Sequence, residues 1–220
     1  MSRSFWALVL SLVLSFSLVS CAEEEYNREY DAAEVEAAAE ELIEKSLVLN
    51  EILYGAGIGY IEDESTKIYK IADEDSLEKF EIEHLSQIEP RLRAVFSKSY
   101  VDTVYSSDIF TPLVEDEITK SYARYFEDED EEGKTIIYVN KYYSFVLKND
   151  YEYIGSIKAV RSEGDFVIVS TTVRATRDGS ISKDFKLEIK LIEESEGWRL
   201  ASPTYKVYNE YTDIYEDMTK

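Results

Sequence analysis

Apolar residues recur every three or four positions in the segment that follows Asp31, and polar residues fill the gaps. The positions on this stripe are Val35, Ala39, Leu42, Ser46, Leu49 and Leu53. Such spacing is typical of an amphipathic helix. Asp31 and Glu34 are placed like the two residues of a capping box at a helix start, and Gly55 can adopt the left-handed conformation that ends a helix. The pattern therefore predicts one long helix at the start of the domain.

Helical spacing returns in a second, more broken region between residues 73 and 105. Its apolar positions are Leu77, Phe80, Leu85, Ile88, Leu92 and Val95. The segment 73–76 (DEDS) is expected to cap the first helix there, and Pro90 is expected to begin or kink the next one. Ser97 is placed to cap a further short helix. These signals predict short helices after the long one.

From residue 122 onward, the period of the pattern changes from about 3.6 to two. The alternating apolar positions include Val167, Val169, Val173, Phe185, Leu187, Ile189 and Leu191. Turn residues at 177–180 and 194–197 separate the alternating segments at hairpin spacing. Half-buried antiparallel strands are therefore predicted. Helices followed by such strands favour a single α+β domain over residues 31–220, with the helices packed on one face of the sheet.

The first residues of the chain have the pattern of an export signal. Arg3 supplies a positive charge, and residues 5–19 form an uncharged run of 15 residues, shorter than the roughly 20 that a membrane-spanning helix needs. The run ends in LVSC at 18–21, which resembles the cleavage box of bacterial lipoproteins. That resemblance implies cleavage before Cys21 and acyl chains on the new N-terminal cysteine, and two or more such chains hold a protein stably at a membrane.

Residues 1–20 are accordingly predicted to be a lipoprotein signal peptide. Residues 21–30, which are rich in glutamate, are predicted to be a short acidic tether. The alternative is an ordinary export signal that is followed by a chance cysteine.

Composition narrows the class of protein further. The chain has 46 Asp and Glu against 24 Lys and Arg, and its net charge is -22. This argues against nucleic-acid binding, which needs clustered cations, and against attraction to a membrane through a basic patch. Because 45% of the residues are hydrophobic, a packed core is nevertheless expected. Cys21 is the only cysteine, so its acylation would leave no thiol for a disulfide, a nucleophile or a zinc ribbon.

Three segments, together with the order of the predicted elements, resemble a known group of proteins. The segments are KSLVLNEILYGAG at 45–57, AVFSKSY at 94–100 and GWRLASPTY at 197–205. They are similar to the nuclear-transport-factor-2-like, or cystatin-like, secreted lipoproteins of Gram-positive bacteria. The resemblance implies a curved antiparallel sheet wrapped on a long helix, which forms a cone with a mouth. It implies no activity, because that fold serves enzymes, ligand binders and assembly modules alike.

Few residues qualify as catalytic groups. Enzymes of the fold use a His or Asp base, commonly beside a Tyr. His84 is the only histidine and lies among glutamates near a helix start, so an exposed or capping histidine is expected. Asp102 near Tyr100 and Tyr105 is interpreted as a chance pairing at this composition. No catalytic residue is assigned.

The acidic run at 127–132 invites comparison with a calcium-binding loop. It departs from that pattern, because Val139 stands where a bidentate Glu is required. A solvated hairpin tip is expected, since runs of like charge usually stay hydrated. A loose calcium site is the alternative. No metal ligand and no cofactor is assigned.

Aromatic residues supply the remaining candidates for a binding site. Tyr54, Trp198 and Tyr205 are expected to wall a pocket in the mouth of the cone. A second set consists of Tyr142, Tyr143, Tyr151 and Tyr153. These tyrosines are either outward-facing platforms for sugars or peptides or ordinary strand residues.

Taken together, these patterns favour a lipid-anchored, extracytoplasmic, non-enzymatic binding domain, whose ligand the sequence does not name. Its expected partners are the membrane, through acylated Cys21, and a cell-envelope protein or a wall component. One alternative is an anionic inhibitor or regulator of a cell-wall hydrolase, because an acidic surface would steer onto a basic enzyme. Others are a small-ligand pocket or enzyme in the mouth of the cone, and a spacer whose acidity keeps it soluble.

Overall fold

The apolar stripe after Asp31 lies on helix α1, Ala32–Tyr54, in the structure of the protein, a computed structural model. Asp31 caps this helix by accepting hydrogen bonds from the N–H groups of Ala33 and Glu34, at 2.9 and 3.3 Å. The structure describes residues 29–62, 64, 67–105, 123–143, 150–177, 181–205, 207–209 and 214–216. The predicted signal peptide, Cys21 and most of the predicted tether lie outside these residues.

Short helical segments follow α1. They are α2 (Glu74–Phe80), a 3₁₀ turn (Leu85–Gln87), α3 (Ile88–Val95) and α4 (Lys98–Tyr105). Asp73 caps α2 by accepting from the N–H of Ser76 at 2.8 Å, and Ser97 caps α4 through the N–H of Tyr100 at 3.3 Å. Pro90 lies in the first turn of α3, where a backbone N–H would have no partner within the helix. No helix among the described residues has the length and apolar character needed to cross a membrane.

Antiparallel strands make up the second half of the described chain. A three-stranded sheet joins β1 (Tyr69–Ile71), β2 (Tyr125–Glu129) and β3 (Thr135–Asn140), with β3 in the middle. A five-stranded sheet contains β4 (Asp150–Tyr153), β5 (Lys158–Glu163), β6 (Phe166–Arg177), β7 (Ile181–Glu194) and β8 (Gly197–Leu200). A separate pair joins β9 (Val207–Asn209) to β10 (Ile214–Glu216).

The hairpin of β6 and β7 is the centre of the larger sheet. Its register runs from the pair Phe166–Ile192 to the pair Arg177–Ile181. β4 and β5 pair with successive stretches of β6, and β8 pairs with the end of β7. This sheet is strongly curled, like half a barrel, and the helices pack on it. The predicted α+β class, with helices on a curved antiparallel sheet, is confirmed at this level.

Alternation along β6 and β7 decides which face of the sheet meets α1. The core positions of the two strands are Val167, Val169, Val173, Leu187, Ile189 and Leu191, which cluster with the buried side chains of α1. Side chains between them, such as Ile168 and Lys190, point to the opposite face, because successive side chains of a strand alternate. The helix α1 therefore covers one face of the sheet and leaves the other available for a site.

A buried cation fastens the C-terminal end of α1. Arg124 is 3% exposed, and its guanidinium donates three hydrogen bonds to backbone carbonyl oxygens. The acceptors are Leu53, Gly55 and Ala56, at 2.8, 2.6 and 2.8 Å. The carbonyl of Leu53 lies in the last turn of α1, where it has no partner within the helix and carries the negative end of the dipole, while Gly55 and Ala56 follow the helix. The guanidinium is therefore satisfied by the last turn of α1 and the chain that leaves it.

The neighbouring residue, Tyr125, strengthens the same junction. Its hydroxyl donates to the carbonyl oxygen of Ile52 at 2.8 Å and accepts from the N–H of Ile58 at 3.1 Å. We call Arg124 and Tyr125 together the α1 clamp. The clamp joins the end of α1 to the start of β2, which lies some 70 residues later in the chain.

Gly55 ends α1, but the prediction of a left-handed conformation for it is wrong, since its φ is -90°. The left-handed residue is Gly57, with φ at 70°. A Cβ atom at Gly57 would lie 2.0 Å from the hydroxyl of Tyr125 and 2.3 Å from a guanidinium nitrogen of Arg124. Because the clamp occupies the carbonyls that a left-handed C-cap would satisfy, the chain turns two residues later than predicted.

A chain of side-chain hydrogen bonds ties the segment after β8 to the middle of α1. Asn50 Nδ2 donates to Thr204 Oγ1 at 2.7 Å, and Ser46 Oγ donates to the carbonyl oxygen of Ile43 at 2.7 Å. Since a hydroxyl has one proton, Thr204 is the donor in its 2.8 Å contact with Ser46. These polar side chains are buried, so they hold residues 201–205 in one position against the helix.

Replacing Arg124 with Met is expected to lower the free energy of unfolding by about 2–4 kcal/mol, because buried carbonyl oxygens lose their donor. Arg174→Met is the matched control, since Arg174 pairs with Asp184 on the surface and its loss should matter far less. Urea unfolding followed by circular dichroism measures both variants. Equal losses would show that the clamp does not stabilise the fold.

Gly57→Ala tests the close approach within the clamp. The control is Gly133→Ala, because Gly133 also has a positive φ, 79°, but no atom within 4 Å of the added Cβ. Both variants strain a left-handed backbone by about 1–2 kcal/mol. Gly57→Ala is expected to lose at least about 1 kcal/mol more, through overlap with Arg124 and Tyr125. Equal melting temperatures for the two variants would contradict this geometry.

Candidate functional site

A cavity of about 550 Å³ lies on the sheet face that α1 leaves uncovered. Its floor is apolar and consists of Phe166, Ile168, Ile192 and Pro203. Hydroxyl-bearing residues line its sides, namely Ser99, Tyr100 and Thr103 of α4 and Ser202 after β8. We call this hollow the sheet-face cavity. An apolar hollow with a few placed polar groups is the usual form of a small-molecule site.

The strand register explains why these residues meet. Phe166 pairs with Ile192, and Ile168 pairs with Lys190 on β7 and with Arg161 on β5. The register shifts between Ala159 and Arg161, so that Ala159 packs against the core while Arg161 lines the cavity. Without such a bulge the two side chains would share one face. The bulge therefore delivers an arginine to the cavity.

Arg161 is the centre of an ion-pair network on the rim of the cavity. Its guanidinium lies 2.8 Å from a carboxylate oxygen of Glu163 and 2.8 Å from one of Glu188. The ammonium of Lys186 lies 3.1 Å from Glu188. The hydrogen bonds from Arg161 and then Lys186 lower the pKa of Glu188 to about 2, and those to Glu188 and Glu163 raise the pKa of Arg161. Both groups are charged at neutral pH.

The charges that line the cavity balance one another. The charged lining residues are Arg161, Lys190, Glu188 and Glu194. Glu194 also accepts a hydrogen bond from the N–H of Lys98 at 2.9 Å, at the start of α4. A balanced lining in a chain of net charge -22 does not select for a charged ligand. It offers hydrogen-bond donors and acceptors side by side.

Buried tyrosines lie against the inner side of the cavity. Tyr205 lines it and is 2% exposed, and its ring centroid lies 5.5 Å from that of Tyr54 and 6.3 Å from that of Tyr151. Tyr54 and Tyr100 share a side-chain hydrogen bond. Burial raises the pKa of the phenols of Tyr54, Tyr100 and Tyr205.

The shifted pKa values fix the protonation states of Tyr100, Tyr205 and Glu188 at neutral pH. The phenols of Tyr100 and Tyr205 keep their protons because their pKa values are raised, and Glu188 stays ionised because its pKa is lowered. An efficient general acid or base has a pKa near the working pH. This arrangement is suited to holding a ligand by hydrogen bonds and apolar contact.

Two of the three aromatic residues predicted to wall one pocket are in contact, namely Tyr54 and Tyr205. Trp198 lies elsewhere, because its indole N–H donates at 3.0 Å to Glu34 in the first turn of α1. Glu34 and Tyr54 are near opposite ends of that helix, roughly 30 Å apart at about 1.5 Å per residue. The structure therefore does not assemble Tyr54, Trp198 and Tyr205 into a common wall.

The predicted tyrosine platforms are also divided. Tyr142 is 70% exposed, with the ammonium of Lys141 at 4.9 Å from its ring. Tyr143 is half-buried and faces the guanidinium of Arg124 at 5.2 Å. Tyr151 and Tyr153 pack against the core, and the hydroxyl of Tyr153 donates to the carbonyl oxygen of Thr204. Of these four tyrosines, Tyr142 alone presents most of its ring to solvent.

The remaining titratable candidates lie on the surface. Nδ1 of His84 is 3.7 Å from a carboxylate oxygen of Glu127, and its side chain is 49% exposed. Asp102 pairs with Arg93 at 3.3 Å, while the side chain of Tyr105 lies outside the described residues. Neither His84 nor Asp102 lines the sheet-face cavity.

The acidic run at 127–132 forms the end of the β2–β3 hairpin. Asp130 Oδ1 accepts hydrogen bonds from the N–H groups of Glu132 and Lys134, at 2.9 and 2.8 Å. Glu127 accepts from the N–H of Leu85 at 2.7 Å. Within the part of the chain that the structure describes, no three His, Cys, Asp or Glu side chains are grouped so as to hold a metal ion.

The sequence did not predict strand β5, and Arg161 on that strand was therefore missed as a candidate site residue. The residues of β6 and β7 did contain a signal for a site on the outer face of the sheet. Phe166, Ile168 and Ile192 are apolar although they occupy positions that the alternation assigns to the face away from α1. Apolar residues clustered on that face indicate a second contact surface, because solvent-facing strand positions are usually polar.

Comparison of the chain with protein-family models, with curated proteins and with solved structures gives no match. The similarity to nuclear-transport-factor-2-like lipoproteins therefore stays a prediction, and the functional argument rests on the geometry of the described residues.

The carboxyl of Glu188 is expected to titrate near pH 2, below its ordinary value of 4.5, because Arg161 and Lys186 favour the charged form. Since the folded pKa is the lower one, the stability that this group contributes is present above about pH 4.5 and is lost as the pH falls toward 2. Carboxyl-detected NMR measures the midpoint. Arg161→Gln should move it up toward 4.5, and an unmoved midpoint would contradict the assigned cause.

Proposed function

We propose that the protein is a lipid-anchored, extracytoplasmic, non-enzymatic binding domain, and that its sheet-face cavity holds an uncharged saccharide of the cell envelope. The observation that carries this proposal is the lining of the cavity. Its floor is apolar, the charges at its rim balance, and Tyr100, Tyr205 and Glu188 keep one protonation state at neutral pH. Such a lining favours binding over proton transfer.

The chemistry of the lining supports a polyhydroxylated ligand. Sugar hydroxyls both donate and accept hydrogen bonds, so they match a rim on which the donor Arg161 stands beside the acceptor Glu188. Side-chain hydroxyls such as that of Ser99 add smaller polar contacts. The C–H face of a sugar ring is apolar and would rest on Phe166 and Ile192, which are only partly buried. Charged ligands of either sign would meet an opposing charge and a like one at the same rim.

The proposed location depends on the N-terminal sequence. Residues 5–19 are uncharged and mostly apolar, and Cys21 follows two positions later in the lipoprotein pattern. Acylation there would make the membrane the first partner of the protein. Two or more acyl chains hold a protein stably, whereas one gives marginal binding. Export past the membrane would place the cavity where wall saccharides are found.

The same proposal includes the finer description of the fold as nuclear-transport-factor-2-like, or cystatin-like. It is supported by the order of the elements, in which α1 and the short helices precede a strongly curled antiparallel sheet. The fold makes no choice among functions, which is why the lining of the cavity carries the argument.

Calorimetric titration with three neutral tetrasaccharides, chitotetraose, cellotetraose and maltotetraose, tests the ligand class. We expect at least one to bind with a Kd of about 1 mM or tighter. Arg161→Gln should weaken that binding about tenfold, because a charge-assisted donor is lost. Arg174→Gln, which removes an arginine paired with Asp184 outside the cavity, should leave it unchanged.

Two results would contradict the proposal. Absence of binding for all three tetrasaccharides at about 20 mM, far above the expected Kd, would remove the saccharide as ligand class. Conversion of a bound saccharide during the titration, detected by mass spectrometry, would show that the protein is an enzyme.

A further inference from the structure

A second hollow, of about 530 Å³, lies between the outer side of α1 and the connection from β4 to β5. On the helix it is lined by Ala37, Ile43 and Leu47, and on the strand side by Tyr153 and Ile157. We call it the α1 groove. It is separate from the sheet-face cavity, because the two hollows share no lining residue and α1 lies on the other face of the sheet.

The α1 groove exposes apolar surface to solvent. Leu47 is 41% exposed, and Ile154, next to the lining residue Gly155, is 39% exposed. Leu47 lines the groove and Ile154 lies beside it, and exposure of large apolar side chains to water is unfavourable. Exposed apolar surface with a polar border is typical of a contact site for another molecule.

One wall of the groove is a row of carboxylates. Glu36, Glu40 and Glu44 recur at every fourth residue of α1, and all three line the groove. Glu36 is engaged, since it accepts from Nζ of Lys158 at 2.9 Å and from the N–H of Ala159 at 3.1 Å. Within the described residues, Glu40 and Glu44 have no recorded ion pair or hydrogen bond from another side chain. Like charges four residues apart destabilise a helix, so a cation beside this row would relieve a repulsion.

We propose that the α1 groove docks a basic amphipathic helix of a partner polypeptide. Apolar side chains of the partner would occupy the hollow beside Leu47, and its lysines or arginines would face Glu40 and Glu44. The lining extends from Glu36 to Leu47, about 16 Å along the helix axis, which matches three turns of a docked helix. Charge complementarity of this kind also accelerates association with a basic partner.

The carboxylate row argues against other occupants. Phosphate groups of lipids or nucleic acids would be repelled by Glu40 and Glu44. A free metal ion would leave the apolar part of the hollow uncovered. The inference does not rest on saccharide binding, because it concerns the opposite side of the fold.

The test uses a synthetic helical peptide of about 18 residues, with leucines on one face and lysines on the other. Its affinity for the full protein is measured by fluorescence anisotropy at low and high salt. The double variant E40Q/E44Q is compared with the control E131Q/E132Q. The control also removes two negative charges, but from the exposed end of the β2–β3 hairpin. Leu47→Gln tests the apolar contact, and circular dichroism checks that each variant is folded.

We expect E40Q/E44Q and Leu47→Gln each to weaken peptide binding about tenfold, whereas E131Q/E132Q retains the affinity of the unmodified protein. Equal weakening by the two double variants would show attraction to net charge alone and overturn the proposal. So would tight binding that Leu47→Gln does not change. Binding of whichever of the three tetrasaccharides the protein takes up, measured on the same variants, should stay constant, so that a failed test of the groove is distinguishable from a failed test of the cavity.

Discussion

The last carbonyl oxygens of α1 have no N–H partner within the helix, and Arg124, just before β2, reaches one of them, that of Leu53, together with those of Gly55 and Ala56 in the turn that follows. A buried guanidinium normally needs a carboxylate, because removing a cation from water is unfavourable. Here the negative end of the helix dipole takes that role. These bonds hold the end of α1 in a fixed position relative to the three-stranded sheet. The hydroxyl of Tyr125 holds the turn that follows by accepting from the N–H of Ile58.

Both candidate surfaces depend on the position of α1. Its buried stripe and the hydrogen bonds of Thr204 with Ser46 and Asn50 hold the segment 201–205 at the edge of the sheet-face cavity. Its outer side supplies the carboxylates and Leu47 of the α1 groove. The sheet-face cavity and the α1 groove, on opposite faces of the sheet, are thus held by contacts of the same helix, and rigid support of this kind favours preformed sites.

Local signals predicted the elements that local physics controls. The cap at Asp31, the caps at Asp73 and Ser97, and the alternation on β6 and β7 all follow from residues close together in the chain. The conformation of Gly55 was predicted wrongly because Arg124 and Tyr125, about 70 positions away, bond the carbonyls of Leu53 and Ile52 that a left-handed cap would satisfy. No local pattern contains that information.

The candidate site was predicted less well than the fold, for the same reason. Tyr54 and Tyr205 meet because Thr204 is hydrogen-bonded to the middle of α1. Trp198 instead donates a hydrogen bond to Glu34 at the start of α1. Arg161 reaches the cavity through a bulge, which shifts the face of every later side chain on the strand. Contacts between distant segments therefore determine which residues meet at the candidate site. The alternation of apolar and polar residues determines only which face of the sheet each side chain occupies.

The proposed function depends on where the domain is held, because saccharides of the cell envelope are met outside the cell membrane. Cys21 follows the apolar run that should direct export, with Ser20 between them. Intact-mass and peptide mass spectrometry of the protein extracted from membranes of its host measures this most directly. The account predicts that the chain begins at Cys21 and carries at least two acyl chains there. A Cys21 thiol without acyl chains would contradict it.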